Sequence, residues 1–220
     1  MKLQVVVKET AEAKAVKLLR DYIVSGNIIP GTRITETKLS ESMNLSRATI
    51  RAALNSLSVE GLVTLTPYAK WMIAELSPQD MWELYTLRSA LERLAARLAA
   101  QFIDNGDHKV QLCKAYDALV AACETGEQGK IAERDLNFHK TIIGISQNET
   151  LNLHNNLIKY QIMLFIRSSN SLISDPQEIL SQHTPIKDAI LAKDIDLAGR
   201  LSEAHNLSEG EKLYKFMLSH

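Results

Sequence analysis

Five leucines in the stretch after residue 76 recur at intervals of three and four residues. They stand at positions 84, 87, 91, 94 and 98. This spacing places them on one face of an α-helix, and every later apolar pattern in the chain has the same helical period. Residues 77–220 are therefore predicted to form an all-helical bundle of about six helices. The leucine stripe is expected to face the core of that bundle.

The start of the bundle is marked by Ser77-Pro78-Gln79-Asp80. A serine cap, a proline at the first helical position and an acid in the first turn are typical of a helix N-terminus. Later breaks between helices are predicted where Gly, Asn, Asp, Ser and Pro interrupt the apolar period. These breaks fall at residues 105–106, 126–129, 148, 174–176 and 194. We therefore divide the chain into domains at residues 1–76 and 77–220.

Residues 1–76 show a different order of elements. A helix over residues 10–25 precedes a Pro30-Gly31 turn, and Thr35 is suited to cap a short second helix. Ser46 is suited to cap a third helix that runs to residue 60, with Ile50, Leu54 and Leu57 on its buried face. Two short β-like runs follow, over residues 62–66 and 71–75. This order predicts a winged helix-turn-helix, so the fold class is mainly α, with this domain followed by the all-α bundle.

Composition excludes several classes of protein. Of the 220 residues, 45% are hydrophobic and 23% are charged, which is ordinary for a soluble globular protein. The chain contains no apolar run near the ~18 residues of a membrane span and no secretory signal pattern. We expect a cytoplasmic protein with no membrane partner. Cys113 and Cys123, ten residues apart in a helical pattern, are expected to be reduced.

The start of the third helix carries the chemistry of major-groove recognition. Ser46, Arg47, Thr49 and Arg51 cluster there, and the two arginines lie one turn apart, outward from the buried face. Arginine binds guanine through two hydrogen bonds, while hydroxyls and free N–H groups at a helix start bind phosphates. Residues 1–76 are also the basic part of the chain, with 10 Lys and Arg against 7 Asp and Glu. The segment predicts binding to double-stranded DNA.

This segment resembles the GntR-type regulators. Residues 45–54, Leu-Ser-Arg-Ala-Thr-Ile-Arg-Ala-Ala-Leu, look like the recognition helix of that family. Residues 28–34 look like its turn after the first helix, and residues 60–63 match the entry to its wing. The helical C-terminal region is similar to the FCD branch, which is fatty-acid-regulator-like and has an all-helical effector domain. The resemblance implies a bacterial transcriptional repressor that binds a pseudo-palindromic operator as a homodimer.

Three further cations complete the DNA-binding set that we assign: Arg33, Lys38 and Lys70. The sequence departs from the family pattern at two places. Ala69 and Lys70 stand where the family wing usually has an Arg-Gly pair, which puts DNA contact by the wing in doubt. Ala48 replaces a commoner hydroxyl residue, which removes one candidate contact.

Four residues of the bundle form a candidate metal site. Asp135 and His139 are four apart and share a helical face, while His183 and His205 fall on two later helices. Such a set suits Zn, Ni, Mn or Fe, although spacing alone leaves open a purely hydrogen-bonded set of histidines. The resemblance implies that the set binds a metal ion, because these four residues match the metal-binding pattern of FCD domains. His108, His154 and His220 fall outside that pattern.

Arg88 is the principal candidate for effector binding. Its ordinary alternative is a salt bridge with Glu92, one turn later on the same helix. The resemblance places it at an arginine that faces the effector cavity, where it would pair with the carboxylate of an organic or sugar acid. Asn148 and Arg167 are further pocket candidates, with a turn residue and a surface charge as their respective alternatives.

Two other classes of function compete with the regulator. A metal-dependent hydrolase could use water on the same ion, but the chain has no HExxH pattern and no carboxylate suitably placed as a general base. A helical adaptor would leave Arg47 and Arg51 without a function. We therefore expect a regulator and not an enzyme.

Overall fold

The computed structural model describes residues 9–67, 70–169 and 175–219, with the side chains of residues 167–169 excepted. Tyr68 and Ala69 of the wing tip, Ser174 and His220 lie outside the described residues. Contacts divide the chain into two units. The first contains the residues up to Leu76 together with those from Leu157 to Ser171, and the second contains the remainder.

The helices of the first unit begin at polar caps. They are α1 (Ala11–Val24), α2 (Glu36–Met43) and α3 (Arg47–Val59). Thr10, Thr35 and Ser46 each accept a backbone N–H in the first turn of the helix that follows, as predicted for Thr35 and Ser46. Asn44 has a φ of 50°, a left-handed conformation that asparagine tolerates, so the chain turns sharply between α2 and α3.

A small antiparallel sheet completes the first unit. Its strands are β1 (Arg33–Ile34), β2 (Val63–Thr66) and β3 (Lys70–Ile73), in the order β1-β3-β2. The hairpin of β2 and β3 was predicted, whereas β1 was missed because a two-residue strand has no period to detect. Trp71 of β3 pairs with Ile34 on one side and Leu65 on the other, and its side chain is buried. The predicted stripe of α3 is buried in the core.

The described part of the second unit contains six helices, as predicted. They are α4 (Pro78–Phe102), α5 (His108–Thr125), α6 (Gln128–Ile145), α7 (Glu149–Ser169), α8 (Pro176–Leu191) and α9 (Ile195–Ser219), of which the end of α7 belongs to the first unit. The Ser77 side chain accepts the Asp80 N–H and the Asp80 side chain accepts the Ser77 N–H, which is a capping box. No helix in the described ranges has the length and apolarity needed to cross a membrane.

Only part of the leucine stripe of α4 faces the core: Leu91 packs against it, but the expectation was wrong for Leu87 and Leu94. Leu87 and Leu94 are 51% and 42% exposed, whereas small residues of α4, mainly alanines after position 94, lie in the core. Small side chains let α4 and α9 approach closely: a Cβ added at Gly210 of α9 would lie 2.6 Å from the Cβ of Tyr85. On α5, Val110 is 50% exposed whereas Leu112 and Leu119 are buried. Close packing against α9, and not hydrophobicity alone, selects the buried face of α4.

The two cysteines are both free thiols on α5. Cys123 is buried and Cys113 is half-buried.

Candidate functional site

The N-terminus of α3 presents two exposed arginines. The side chains of Arg47 and Arg51 are 65% and 58% exposed. Ser46 caps the helix by accepting the Thr49 N–H at 3.1 Å, and the two hydroxyls lie 2.8 Å apart. Their first partners are therefore each other. The other backbone N–H groups of this first turn and the two guanidiniums are the groups available to a nucleic acid.

Both arginines lie against Glu36, a residue that the sequence analysis missed. Arg51 donates from Nε and Nη2 to the two carboxylate oxygens at 2.8 and 2.7 Å, and Arg47 Nη2 lies at 3.7 Å. Trp71 Nε1 donates to the same carboxylate at 3.3 Å. The hydrogen bond from Arg51, aided by Trp71 and Arg47, lowers the pKa of Glu36 to about 2. An acid in the first turn of α2 is also what the helix dipole favours, so its sequence signal was ambiguous.

The remaining cations assigned to DNA are exposed and lie on three different elements. Arg33 is in β1, Lys38 is in α2 and Lys70 begins β3. Their exposure leaves them accessible, and their contact with DNA stays a prediction.

Three histidines of the second unit meet in its interior. The Nε2 atoms of His139 on α6 and His183 on α8 are 3.1 Å apart, and the ring of His205 on α9 stacks on that of His139 at 5.1 Å. Asp135, one turn before His139, places Oδ1 at 2.7 Å from His183 Nε2 and 3.8 Å from His139 Nε2. Three helices thus bring together the four residues that the sequence singled out.

Each imidazole is oriented by an acceptor behind it. His139 donates from Nδ1 to Glu92 at 2.6 Å, His183 to the Ile179 carbonyl at 2.7 Å, and His205 to Gln182 Oε1 at 2.8 Å. A proton on Nδ1 leaves the Nε2 lone pair as the ligand atom on every ring. Second partners of this kind fix ring orientation in metal sites. Glu92 and Gln182 were not assigned to the site from the sequence, because such support leaves no spacing signal.

The donor set fits a divalent metal ion. One ligand atom from each histidine can be chosen so that all three lie within 4.8 Å of one another. Atoms bound about 2.1 Å from a tetrahedral ion lie about 3.4 Å apart, which is close to the Asp135 and histidine separations given above. Three imidazoles and a carboxylate suit Zn, Ni, Mn or Fe, with further positions for water or a ligand oxygen.

Charge is tightly balanced around these residues. Burial opposes ionisation of Glu92, but Arg88 and His139 hold its pKa well below the ordinary value. Burial likewise opposes ionisation of Asp135, and the hydrogen bond from His183 lowers its pKa. The same contact raises the pKa of His183 against burial. Burial and the neighbouring His139 and His183 lower the pKa of His205. A divalent cation would replace the proton that His183 and Asp135 share.

Arg88 forms the salt bridge with Glu92 that was the alternative interpretation of this residue, and its Nε lies 2.7 Å from Glu92 Oε1. Its guanidinium also lies 5.5 Å from the centre of the Tyr85 ring, and its side chain is 14% exposed. Asn206 donates to the other Glu92 oxygen at 3.1 Å. Among the described residues, the Asn206 Oδ1 atom is a buried acceptor without a hydrogen-bond partner. Arg88, Glu92 and Asn206 thus form a polar group that adjoins His139.

The other two candidates for effector binding, Asn148 and Arg167, lie near opposite ends of α7. Asn148 precedes α7 and caps it, since its Oδ1 accepts the Leu151 N–H at 3.0 Å. Arg167 lies in the last part of α7, and its side chain is outside the described residues. Both stay predictions.

Comparison with known proteins matches both units. Residues 11–69 match the family model described as bacterial regulatory proteins, gntR family, and residues 83–208 match the FCD domain. The chain is 36% identical over 130 residues to the Nta operon transcriptional regulator of Aminobacter aminovorans, over 58% of this chain and 60% of that protein. It is 27% identical to a probable D-xylose utilization operon transcriptional repressor of Paenarthrobacter nicotinovorans, over 82% of this chain and 80% of that one.

A solved structure shares the fold. The E. coli McbR/YncC structure superimposes with a TM-score of 0.77 at 19% identity, over 94% of this chain and 98% of that chain.

Proposed function

We propose a specific function for this chain, which belongs to the gntR family of bacterial regulatory proteins and carries an FCD domain: it is a DNA-binding repressor controlled by a small carboxylate-bearing metabolite. The observation that carries the DNA-binding half is the start of α3, where Arg47 and Arg51 stand exposed beside free backbone N–H groups. Because the chain belongs to a family of regulators, the hydrolase alternative is not retained.

Operator binding is tested with genomic fragments in a gel-shift assay at two salt concentrations. We expect a selective complex that weakens as salt rises, because binding releases cations condensed on the phosphates and that release is less favourable at high salt. Arg47→Ala should abolish it, while Arg200→Ala, an exposed arginine of α9, should leave it unchanged. Absence of any selective complex, with or without added metal, would refute the repressor.

The metal half of the proposal assigns Asp135, His139, His183 and His205 as ligands of one Zn, Ni, Mn or Fe ion. Its support is the set of three imidazoles whose Nδ1 atoms are all held from behind. An ion held there would offer a positive centre to a ligand carboxylate. His183→Ala should lose the metal in elemental analysis, whereas His154→Ala, exposed on α7, should retain it. Equal metal content in both variants would contradict the ligand assignment.

The effector is proposed to be an organic or sugar acid. Arg88 binds Glu92 through Nε, so the Nη1 and Nη2 hydrogens of the same fork are the ones a carboxylate would take. The buried Oδ1 of Asn206 offers an acceptor for a hydroxyl of the same molecule. The name of the Paenarthrobacter relative, a repressor of sugar utilization, supports a carbohydrate-derived ligand. Thermal melts against organic and sugar acids test this, because a ligand selective for the folded state raises the midpoint.

Homodimerisation is proposed through Leu87 and Leu94, the exposed leucines of α4. They lie nearly symmetrically about Leu91, so an antiparallel α4 of a second copy would set Leu87 against Leu94, with the half-buried Leu84 and Leu98 flanking them. Two copies also supply the paired recognition helices that half-sites about 34 Å apart require. We expect twice the 24.6 kDa chain mass in analytical ultracentrifugation. Leu87→Glu with Leu94→Glu should give the monomer, and Val110→Glu, exposed on α5, should not.

A further inference from the structure

The carboxylate of Glu36 lies between α3, which carries the two exposed arginines, and β3. It belongs to the first turn of α2, yet its hydrogen-bond partners come from α3 and β3. Its side chain is only 14% exposed, although the two arginines that it meets are more than half exposed. Glu36 therefore faces its partners and not solvent. An acid in this place is unexpected, because it opposes binding to phosphates.

The contact with Arg51 fixes one edge of the guanidinium. Nε and Nη2 each donate to a different oxygen of Glu36, at 2.8 and 2.7 Å, which is a bidentate fork. The fork leaves the Nη1 hydrogens and the second Nη2 hydrogen free of this contact. One Nη1 hydrogen and the second Nη2 hydrogen lie side by side at the end of the guanidinium, and such a pair is what guanine O6 and N7 accept in the major groove. Glu36 thus sets the plane in which Arg51 can meet a base.

Glu36 is itself held from the core of its unit. Trp71 donates to it at 3.3 Å, and the Trp71 side chain is only 4% exposed. The same tryptophan is paired within the sheet to both β1 and β2. A side chain anchored by a buried ring holds its partner with little freedom. Arg51 therefore loses less conformational entropy when it binds a base than an unsupported arginine would.

We propose that Glu36 is a positioning residue that raises the preference of the protein for its operator over unrelated DNA. It acts in two ways: it orients Arg51 for base recognition, and its negative charge offsets Arg47 and Arg51 against phosphates. The first effect strengthens operator binding and the second weakens non-specific binding. This inference rests on the proposed operator binding.

The test compares Glu36→Gln with Glu41→Gln. Glu41 is exposed on the same helix, so its variant makes the same change of charge without touching an arginine. Affinity is measured for an operator fragment and for unrelated DNA at several salt concentrations. We expect E36Q to lower the ratio of operator to non-specific affinity about 5- to 150-fold, the discrimination of one bidentate base contact. E41Q should raise both affinities slightly and keep the ratio.

Four further measurements keep the proposal open to refutation if E36Q is poorly folded. Arg51→Lys retains the charge but not the fork, so it should lower the ratio as E36Q does. The double variant should lose little more than either single one, since both remove the same contact. In the DNA-free wild type, the Arg51 Nε–H should exchange with water more slowly than that of Arg200, and E36Q should abolish the difference. Glu36→Asp, which keeps the charge, should restore part of the affinity ratio.

The outcomes separate this inference from the function beneath it. If the wild type binds selectively but E36Q and R51K match E41Q in affinity ratio, Glu36 has no positioning effect and only this inference fails. If the wild type forms no selective complex with any fragment, the repressor function fails and this inference fails with it.

Discussion

Replacing Glu92 by glutamine keeps the shape of the side chain but removes the charge that His139 and Arg88 share. The carboxylate accepts from His139 Nδ1 at 2.6 Å and from Arg88 Nε at 2.7 Å, and its side chain is only 4% exposed. A glutamine has one acceptor oxygen, so its amide NH₂ must face either Arg88 Nε or the His139 and Asn206 donors. At least one buried donor loses its partner, which costs about 1–3 kcal/mol.

The uncompensated charge of Arg88 raises that cost. Breaking a buried ion pair by removing one partner costs about 3–5 kcal/mol. The guanidinium retains the oxygen of glutamine and the Tyr85 ring, so we expect the lower end of that range for metal-free Glu92→Gln. Metal affinity should also fall, because the His139 ring loses the acceptor that orients it. Loss of such a partner weakens metal binding about 10- to 100-fold, or about 1.4–2.7 kcal/mol.

The two effects are measured separately. Urea denaturation of the metal-free protein gives the loss of stability, and competition with a chelator gives the metal dissociation constant. Glu203→Gln is the matched control, because its ion pair with Arg93 lies at the surface and should be worth under about 1 kcal/mol. Wild-type metal affinity in E92Q, alongside reduced stability, would show that Glu92 supports only the fold. Unchanged stability would refute the charge argument altogether.

Two further predictions concern other parts of the chain. Gly210→Ala should lower the free energy of unfolding, measured in urea, by about 1–3 kcal/mol, because the added Cβ would lie 2.6 Å from the buried Tyr85 Cβ, which cannot move aside. The control is Gly199→Ala, whose added Cβ meets the flexible, partly exposed Arg97 side chain and should be tolerated. Equal losses of stability in the two variants would contradict the close approach of α4 and α9. The ordinary pKa of Glu36 is 4.5 and its folded value is about 2, so its stabilising contribution is complete above pH 4.5 and disappears as the pH falls towards 2. The stability difference between wild type and E36Q should therefore shrink by about 1–2 kcal/mol between pH 5.5 and pH 3, allowing for the exposure of Arg51; a constant difference would refute the ion pair.

The sequence predicted what local rules determine. Helix starts at Thr35, Ser46 and Ser77 follow from side-chain caps, which act within one turn and leave a readable pattern. The six helices of the second unit likewise follow from apolar period and breaks. Strand β1 was beyond such rules, because its two residues are ordered by pairing with β3 and not by their own pattern.

The sequence did not predict which face of α4 is buried. Hydrophobicity favoured the leucines, yet the close contact with α9 selects alanines and glycines, and only the partner helix defines that requirement. The candidate metal ligands were found through the resemblance to FCD domains, since spacing left the alternatives open. Glu36, Glu92 and Gln182 were missed because each acts through another side chain that lies far away in sequence.

The three acceptors behind the histidines differ in whether a point mutation can remove them. Glu92 and Gln182 hold their rings through side chains, so a single codon change removes either one. His183 is held by the main-chain carbonyl of Ile179, which every amino acid supplies. If these residues bind a metal as proposed, a screen for point mutants that no longer bind it should return changes at 92 and 182 but not conservative ones at 179. The support of His183 would then leave no trace in a mutational map.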